Sequence, residues 1–386
     1  MSESKKSGLL LLGVGGGACR LIRETRKAFG ETMRTLCVDT DSATDLPAEE
    51  GASPLPFLLL GGSRLAGHGA GGDFNEGRQA ARDDWENILN RTQDTRTVMV
   101  VSCLGGGTGS GATSEIVKKL HENGLTTFCL LVKPFSFEGS PRIETAERAV
   151  SLIEENADSL LVIDQDTLFS ATDETLLADA QAAASEQLVA ALTLFWRMLF
   201  SPGFIRLDAE RLHSLVIRGG KTCLGVASAS GADRADAVVQ RLVACKLFRN
   251  GEKLKTCNAL LVGILAGEDL RLAEIGRIME ALDGLRKAGS RVEMGTVQDA
   301  AFDGKIELVV MGFSYVTDVK APPVFDASQI QILTKSTGGK SRANKGSGLN
   351  FGPIGKGRFQ KTEATVFNGC DYDEPTYMRR GITLER

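Results

Sequence analysis

Several residue types that carry chemistry are scarce in this chain of 386 residues, which has three histidines, two tryptophans and three tyrosines. Its eight cysteines are scattered and form no CxxC pair, which argues against a zinc site and against a disulfide framework. The net charge of −4 gives no overall attraction to nucleic acid or to an anionic membrane. We therefore expect no nucleic-acid partner and no metal-ligating residues.

Long apolar runs are also missing. The run LLLL at 9–12 is far shorter than the roughly twenty residues that a membrane-spanning helix needs. No signal-peptide pattern precedes it. These features predict a cytoplasmic protein.

The first half of the chain alternates short apolar segments, such as GLLLLGVG and RTVMVVSC, with helical patterns. This alternation predicts a parallel sheet with helices on both faces, hence an α/β fold. We expect a first domain over 1–177, a central connecting helix over 178–202 and a smaller α/β domain with a mixed sheet over 203–316. The composition of residues 317–365, rich in Gly, Ser and Lys, predicts a flexible basic linker, and residues 366–386 are expected to form an end peptide.

Three glycine-rich segments each lie before a predicted helix, and the richest is LGGGTGSGA at 104–112. The others are GVGGGAC at 13–19 and GHGAGGDFNEGRQAA at 67–81. Glycine lets another group approach the main chain, and the free N–H groups at a helix start attract anions. We interpret the segments as phosphate-binding turns. The alternative is that the glycines only permit tight strand–helix packing.

The identity of the phosphate ligand is partly constrained. The first turn with Asp39 matches a weak dinucleotide fingerprint, so an NAD-dependent dehydrogenase is one alternative. A dinucleotide fold needs no second glycine-rich turn after a later strand, and no His or Lys acid–base set is recognisable. No G-K-[ST] follows either glycine cluster, which excludes a P-loop lysine. Several backbone turns around one sheet edge favour a nucleoside triphosphate.

GGGTGSG at 105–111 matches the signature G-G-G-T-G-[ST]-G, and the chain resembles the tubulin/FtsZ family. GVGGGACR, VDTDSATDL and GAGGDFNEGRQAA resemble its other phosphate loops, and KPFSFEGSPRIETAE its ribose-side loop. SPGFIRLD, ILAGEDLRL and DYDEPTYMRRG extend the similarity over nearly the whole chain. The resemblance implies a Rossmann-like GTPase domain, a central helix, a second domain with a mixed sheet and a disordered tail. It also implies GTP/GDP and Mg²⁺ as cofactors and head-to-tail filaments at the division site.

The resemblance also implies roles for individual residues. Gly15–Ala18 face the α- and β-phosphates, 105–110 the β- and γ-phosphates, Ala70 and Gly71 the γ-phosphate, and Asp41 lies near Mg²⁺. Glu138 and Arg142 lie at the ribose and base, or form only an ion pair at a helix start. The full predicted GTP-binding set is Gly15, Gly16, Gly17, Ala18, Cys19, Arg20, Asp41, Ala70, Gly71, Gly105, Gly106, Gly107, Thr108, Gly109, Ser110, Glu138, Arg142 and Glu186.

Guanine selection is assigned to Glu186, which takes the place of a family Asp on the central helix. A carboxylate there would accept from guanine, and adenine would leave it unpaired. Alternatively, Glu186 is a solvated helix residue. Gln181 stands where the family has a stacking Phe, and Arg20 replaces an Asn.

The segment FIRLDAERL departs from the family pattern N-x-D-x-x-D, whose two acids reach the γ-phosphate of the adjacent subunit. Asp208 keeps the first acid, whereas Arg206 and Arg211 replace the Asn and the second acid. We predict Asp208 as a catalytic residue, with Glu210 as a compensating acid. Losing one catalytic group costs about 10²–10⁴-fold, although an arginine near the γ-phosphate can also stabilise charge. We expect assembly with slow hydrolysis; the alternative is a structural paralogue with little GTPase activity.

The chain end DYDEPTYMRRG resembles the family's partner-binding peptide. Such peptides order on contact with a groove. The implied partners are FtsA/ZipA-like membrane tethers and division regulators. The predicted contact residues are Pro375, Tyr377, Met378, Arg379 and Arg380. A frayed tail is the alternative, and the basic linker could also contact anionic lipid directly.

Overall fold

The computed structural model describes residues 8–29, 33–45, 53–168, 176–201, 203–248, 251–315, 366–367 and 370–371. The chain divides into two compact units, 1–320 and 321–386. In the second unit, β11 (Val366–Phe367) pairs with β12 (Cys370–Asp371) in antiparallel register. The predicted linker 317–365 and the five predicted partner-binding residues of the tail lie outside the described residues.

The first unit alternates strands and helices along the chain. Its strands are β1 (Leu9–Val14), β2 (Thr35–Asp39), β3 (Phe57–Leu59), β4 (Thr97–Cys103), β5 (Thr126–Lys133), β6 (Ser159–Asp164), β7 (Gly220–Ser230), β8 (Ala259–Ala266), β9 (Arg291–Gln298) and β10 (Lys305–Ser314). Its helices are α1 (Gly16–Phe29), α2 (Gly62–Leu65), α3 (Phe74–Asp83), α4 (Trp85–Arg91), α5 (Thr113–Glu122), α6 (Ser140–Glu154), α7 (Gln165–Leu168), α8 (Leu177–Phe200), α9 (Ala209–Val216), α10 (Arg234–Val243) and α11 (Leu272–Leu285).

Ten strands form one sheet in the order β3-β2-β1-β4-β5-β6-β7-β10-β8-β9. The strands from β3 to β7 pair in parallel, whereas β10 is antiparallel to both β7 and β8. The parallel and mixed parts meet where β6 pairs with β7, through Ser159↔Gly220 and Leu160↔Lys221. The α/β prediction, with a parallel sheet followed by a mixed one, is confirmed.

Both faces of the parallel sheet are buried. In β1, Leu9 and Leu11 belong to the core beside α8, and Leu10 and Leu12 to the core beside α5. Since side chains alternate across a strand, a strand buried on both faces must be apolar at every position. This explains the uninterrupted LLLL run. No described helix is long and apolar enough to cross a membrane.

The central helix α8 holds the two parts of the sheet together. Its buried residues Phe195 and Trp196 share one core with Leu130 of β5 and with Leu261 of β8. A helix that packs on both sides must be apolar around most of its circumference. The predicted helix over 178–202 is confirmed as an element, whereas the predicted domain boundaries stay a prediction.

The sequence pattern missed β7 and α9. In β7, the segment GKTCLGVASAS is short of large branched residues, and its small side chains weaken the alternation that marks a strand. Small residues fit there because its neighbour supplies the bulk: a Cβ on Gly225 would collide with the ring of Phe248.

Replacing Phe195 by alanine tests the dual packing of α8. The side chain is 1% exposed and its ring centroid lies 6.3 Å from that of Phe128. We expect Phe195→Ala to lower the free energy of unfolding by about 3–5 kcal/mol in urea titrations. Leu272→Ala, at a position 84% exposed, should change it by less than about 0.5 kcal/mol. Equal losses in the two variants would contradict this packing.

Candidate nucleotide site

A cavity of about 470 Å³ opens at the carboxyl ends of the central parallel strands. Two glycine turns line one end of it, 15–17 at the start of α1 and 106–109 after β4. Arg20 and Glu24, farther along α1, and Ser185 of α8 also line it. In open parallel sheets, ligands bind outside the carboxyl ends of the strands. The cavity therefore lies where the sheet topology favours a ligand.

The turn after β4 is wound as a π-helix over Gly107–Ala112 and is buried throughout. A Cβ on Gly109 would collide with the carbonyl oxygen of Cys103, and one on Gly111 with that of Phe74. A Cβ on Gly106, in contrast, would have no atom within 4 Å. Glycine thus serves packing at 109 and 111, whereas at 106 it leaves the main chain open to the cavity.

The two hydroxyl groups of this turn are occupied within the protein. Thr108 Oγ1 lies 2.6 Å from Thr40 Oγ1, and Ser110 Oγ accepts from the Gly105 N–H at 2.8 Å. Ser110 is fully buried. Main-chain N–H groups of this turn, as in a backbone nest, and the Thr108 hydroxyl, which lines the cavity, are therefore the donors available to an anion.

The glycine-rich segment at 67–81 packs against the turn that follows β4. A Cβ on Gly107 would collide with Asp73 and approach the Ala70 methyl, which is itself buried. Asp73 caps α3 by accepting from Asn75 N and Glu76 N at 2.7 and 3.2 Å. Gly71 has a φ of 56° and open space around it. Ala70 and Gly71 are not among the residues that line the cavity.

A buried carboxylate fixes α3 to α5. Glu115 is 2% exposed and binds the Nε atoms of Arg78 and Arg82 at 2.7 and 2.8 Å. Burial would raise the pKa of Glu115, but the two guanidinium groups outweigh it and lower the pKa. The helix α3 begins within the glycine-rich segment at 67–81, and α5 follows the turn after β4. These ion pairs therefore hold the two glycine-rich segments in a fixed relative position.

The predicted acids near the first turn are held by local bonds. Asp41 Oδ1 accepts from Ala43 N at 2.9 Å and caps a short 3₁₀ helix, and Asp41 is not among the cavity-lining residues. Asp39, named only for the dinucleotide alternative, does line the cavity. Its carboxylate accepts from Thr40 N and Thr44 Oγ1, each at 2.7 Å.

Both predicted ribose-side residues line the cavity. Arg142 Nη1 lies 2.8 Å from Glu138 Oε2, and Glu138 Oε1 accepts from Phe135 N at 2.9 Å. The ion pair between Glu138 and Arg142, which was the alternative to a ligand-binding role, is therefore present. It also orients Arg142 at the cavity wall, so that the pair is compatible with a ligand contact.

Two thiols lie near the first turn. Cys19 is buried against the carbonyls of Gly13 and Val38, and contact with the Cys37 thiol together with burial raises its pKa. Its side chain is not among those that line the cavity. Cys103, which sequence reasoning did not select, does line it, and burial raises its pKa to about 12. Neither thiol is a nucleophile at neutral pH.

Glu186 lies outside the lining of this cavity. It lines a second cavity of about 730 Å³, together with Thr193 and Arg197. Glu24, which the sequence analysis did not select, lines both cavities, as does Ser185. The side chain of Gln181 lies outside the described residues.

The comparisons with known proteins agree with this geometry. Residues 9–173 match the "Tubulin/FtsZ family, GTPase domain", and residues 220–316 match the "FtsZ family, C-terminal domain". The two matched regions together cover more than half of the chain. The chain belongs to the tubulin/FtsZ family.

Relatives and solved structures support the assignment. "Cell division protein FtsZ" of Pseudomonas putida is 27% identical over 96% of this chain and 88% of its own length. "Cell division protein FtsZ" of Pseudomonas aeruginosa is 29% identical over 78% of this chain and 75% of its own length. The structure titled "FtsZ dimer, empty (M. jannaschii)" aligns at a TM-score of 0.73 and 22% identity, over 81% of this chain and 89% of its own. This last likeness shows the fold.

The segment that departs from the tubulin/FtsZ pattern lies before and within α9. Asp208 caps α9 by accepting from Arg211 N at 2.9 Å. Glu210 Oε2 lies 2.6 Å from Arg96 Nη1, and Arg211 Nη1 lies 2.5 Å from Glu293 Oε2. Burial would raise the pKa of Glu293, but Arg291 and Arg211 outweigh it and lower the pKa. The charge of Arg211 is therefore countered within the same subunit.

Alanine substitutions at two glycines of the GTPase domain distinguish a glycine needed for packing from one that leaves room for a ligand. Gly109→Ala should destabilise the protein by at least about 2 kcal/mol, since its Cβ would collide with the main chain. Gly106→Ala should change the unfolding free energy by less than about 0.5 kcal/mol, yet lower GDP affinity at least tenfold, because the methyl would enter the cavity. Urea unfolding and titration calorimetry measure both. GDP affinity unchanged by Gly106→Ala would contradict the assigned orientation.

Proposed function

We propose that this GTPase binds GTP in the cavity, polymerises head-to-tail into filaments that form a bacterial division ring, and hydrolyses GTP between subunits. The observation that carries the proposal is the placement of the three glycine turns. They all fall within the matched GTPase domain, and two of them line the cavity at the carboxyl ends of the strands. Relatives that align over most of the chain carry the name "Cell division protein FtsZ".

In this proposal, main-chain N–H groups of 16–17 and 106–109 bind the phosphates, whereas the Gly15 N–H donates to the Val38 carbonyl at 2.9 Å, and the α1 dipole adds to their attraction. Glu138 and Arg142 border the ribose. The structure-described part of the chain holds no group of three His, Cys, Asp or Glu side chains arranged for a metal. A Mg²⁺ ion would be held through phosphate oxygens, water and one or two carboxylates, its usual mode in nucleotide sites. It would neutralise phosphate charge during hydrolysis.

Hydrolysis would require a residue of the adjacent subunit that orients water at the γ-phosphate. Asp208 is our candidate, since it keeps the first acid of the family pattern, whereas Glu210 stands at a position where that pattern has no acid and Arg211, in place of the second acid, is paired with Glu293. One acid in place of two predicts slow turnover. Phe204 and Ile205, which precede Asp208, are 82% and 42% exposed. Apolar side chains at this position suit burial against a second copy of the chain.

Assembly and hydrolysis can be measured together. We expect light scattering to rise when GTP and Mg²⁺ are added to the full chain, and not with GDP or NAD. Phosphate release should be slow, and Asp208→Ala should lower it a further 10²-fold or more while assembly persists. Glu210→Ala is the matched control and should leave the rate within about twofold. An equal loss of phosphate release in both variants would contradict a distinct role for Asp208. Failure of the wild-type chain to assemble with GTP and Mg²⁺ would overturn the filament function.

The finer assignments of partner and place are also part of the proposal. Residues 375–380 would dock in a groove of an FtsA/ZipA-like tether, which would bring the filament to the membrane at the division site. The apolar pair Tyr377 and Met378 would supply the anchor, and Arg379 and Arg380 the flanking charge.

A tail experiment separates docking from assembly. Tyr377→Ala should weaken binding of the full chain to a tether by tenfold or more in calorimetry, because the anchor of the peptide is lost. Polymerisation with GTP should be unchanged. The matched control is Tyr372→Ala, five residues before the anchor, which should leave tether binding intact. Equal binding by both variants would contradict the docking role.

A further inference from the structure

We propose that Glu24 and Arg20, one helical turn apart on α1, recognise the edge of the guanine base, so that Glu24 rather than Glu186 is the guanine-selecting carboxylate. The inference rests on the proposed GTP binding and names the side chains that set its base specificity. It starts from the cavity lining, which includes Glu24 and Arg20 and does not include Glu186.

The direction of α1 places these side chains at the distance of a base. The helix begins at Gly16, and Gly16 and Gly17 line the cavity. At 1.5 Å per residue, Arg20 lies about 6 Å and Glu24 about 12 Å along the axis from that start. A nucleotide with its phosphates on the glycine turns therefore extends its base alongside these two residues. They share one helix face because they are four residues apart.

The opposite wall explains why Glu186 does not reach this position. On α8, Ser185, Leu188 and Val189 line the nucleotide cavity, at the spacing of one helix face. Glu186 lies on an adjoining face with Thr193 and Arg197, and this face lines the second cavity. Glu186 thus lines the second cavity, which shares Glu24, Ser185 and Val189 with the first, and it does not line the cavity that holds the glycine turns.

The chemistry of the two side chains matches guanine and not adenine. An arginine carries only donors, and its fork fits the O6 and N7 acceptors of guanine. A carboxylate carries only acceptors, which suits the N1–H and 2-amino donors of the adjoining Watson–Crick edge. Adenine would put its 6-amino donor against arginine and leave the carboxylate unpaired, which is unfavourable.

The present partners of these groups leave them available. Glu24 Oε1 lies 3.1 Å from Lys27 Nζ, with the two side chains 48% and 42% exposed. Ion pairs this exposed contribute little and exchange readily. Within the described residues, no hydrogen bond or ion pair engages the Arg20 guanidinium, whose charge lies near enough to Cys103 to lower the pKa of that thiol against the larger effect of burial.

The test compares GDP with IDP, which lacks only the 2-amino group, by calorimetry on the full chain. The wild type should prefer GDP. Glu24→Ala should lower GDP affinity roughly ten- to hundredfold and bring the GDP/IDP ratio close to one. Glu186→Ala, the matched control on α8, should leave both affinities within twofold. Both positions are exposed and alanine is a strong helix former, so both variants should fold.

Arg20→Gln gives a second, distinct signature. It should weaken GDP and IDP equally, because both bases carry O6 and N7, and the preference for GDP over IDP should persist. A GDP/IDP ratio unchanged by Glu24→Ala would overturn the inference, as would a ratio abolished by Glu186→Ala. Absence of GDP and GTP binding by the wild type would instead refute the proposed function, so the two failures are distinguishable.

Discussion

The nucleotide site depends on the close approach of main chains in its glycine turns. Gly77 of α3 lies against the carbonyl of Gly107, and Gly109 lies against that of Cys103, at separations that leave no room for a Cβ. This contact brings the turn after β4 into register with the turn before α3. It also places free N–H groups at the carboxyl edge of the sheet, where helix dipoles reinforce them. The packing and ligand-binding interpretations are thus compatible, since the packing positions the amides to which we assign phosphate binding.

Much of the fold follows from local pattern. The apolar runs of β1 and β4 predict strands buried on both faces, and the apolar circumference of α8 beyond Leu188 predicts a helix packed on both sides. The pattern fails at β7, because its small residues are matched to the bulk of Phe248 from a distant part of the chain. Such complementarity is a property of tertiary contacts, and no local period records it.

The sequence predicts the glycine turns of the site more fully than the side chains at its proposed base end. Glycine turns have a sequence signature because their conformation and packing exclude other residues. Side chains that line the base end have no such signature: Glu24 is one of many charged residues on amphipathic helices, and only the position of α1 beside the cavity singles it out. Conversely, Glu186 was predicted from its place on α8, and a rotation of one residue around that helix directs it to another cavity.

This contrast has a physical origin in how the two ends bind. In the proposed function, phosphates are held by backbone groups that every residue possesses, so the geometry of the turns, and therefore their glycines, must persist. The proposed base contacts and the proposed catalytic segment before α9 would act through side chains, which can change with little effect on the packing of the sheet. Arg20, Arg206 and Arg211 all stand at such positions. A chain of this family can accordingly keep its phosphate site and its sheet while its base recognition and hydrolysis rate vary, because the two sets of residues share no packing constraint.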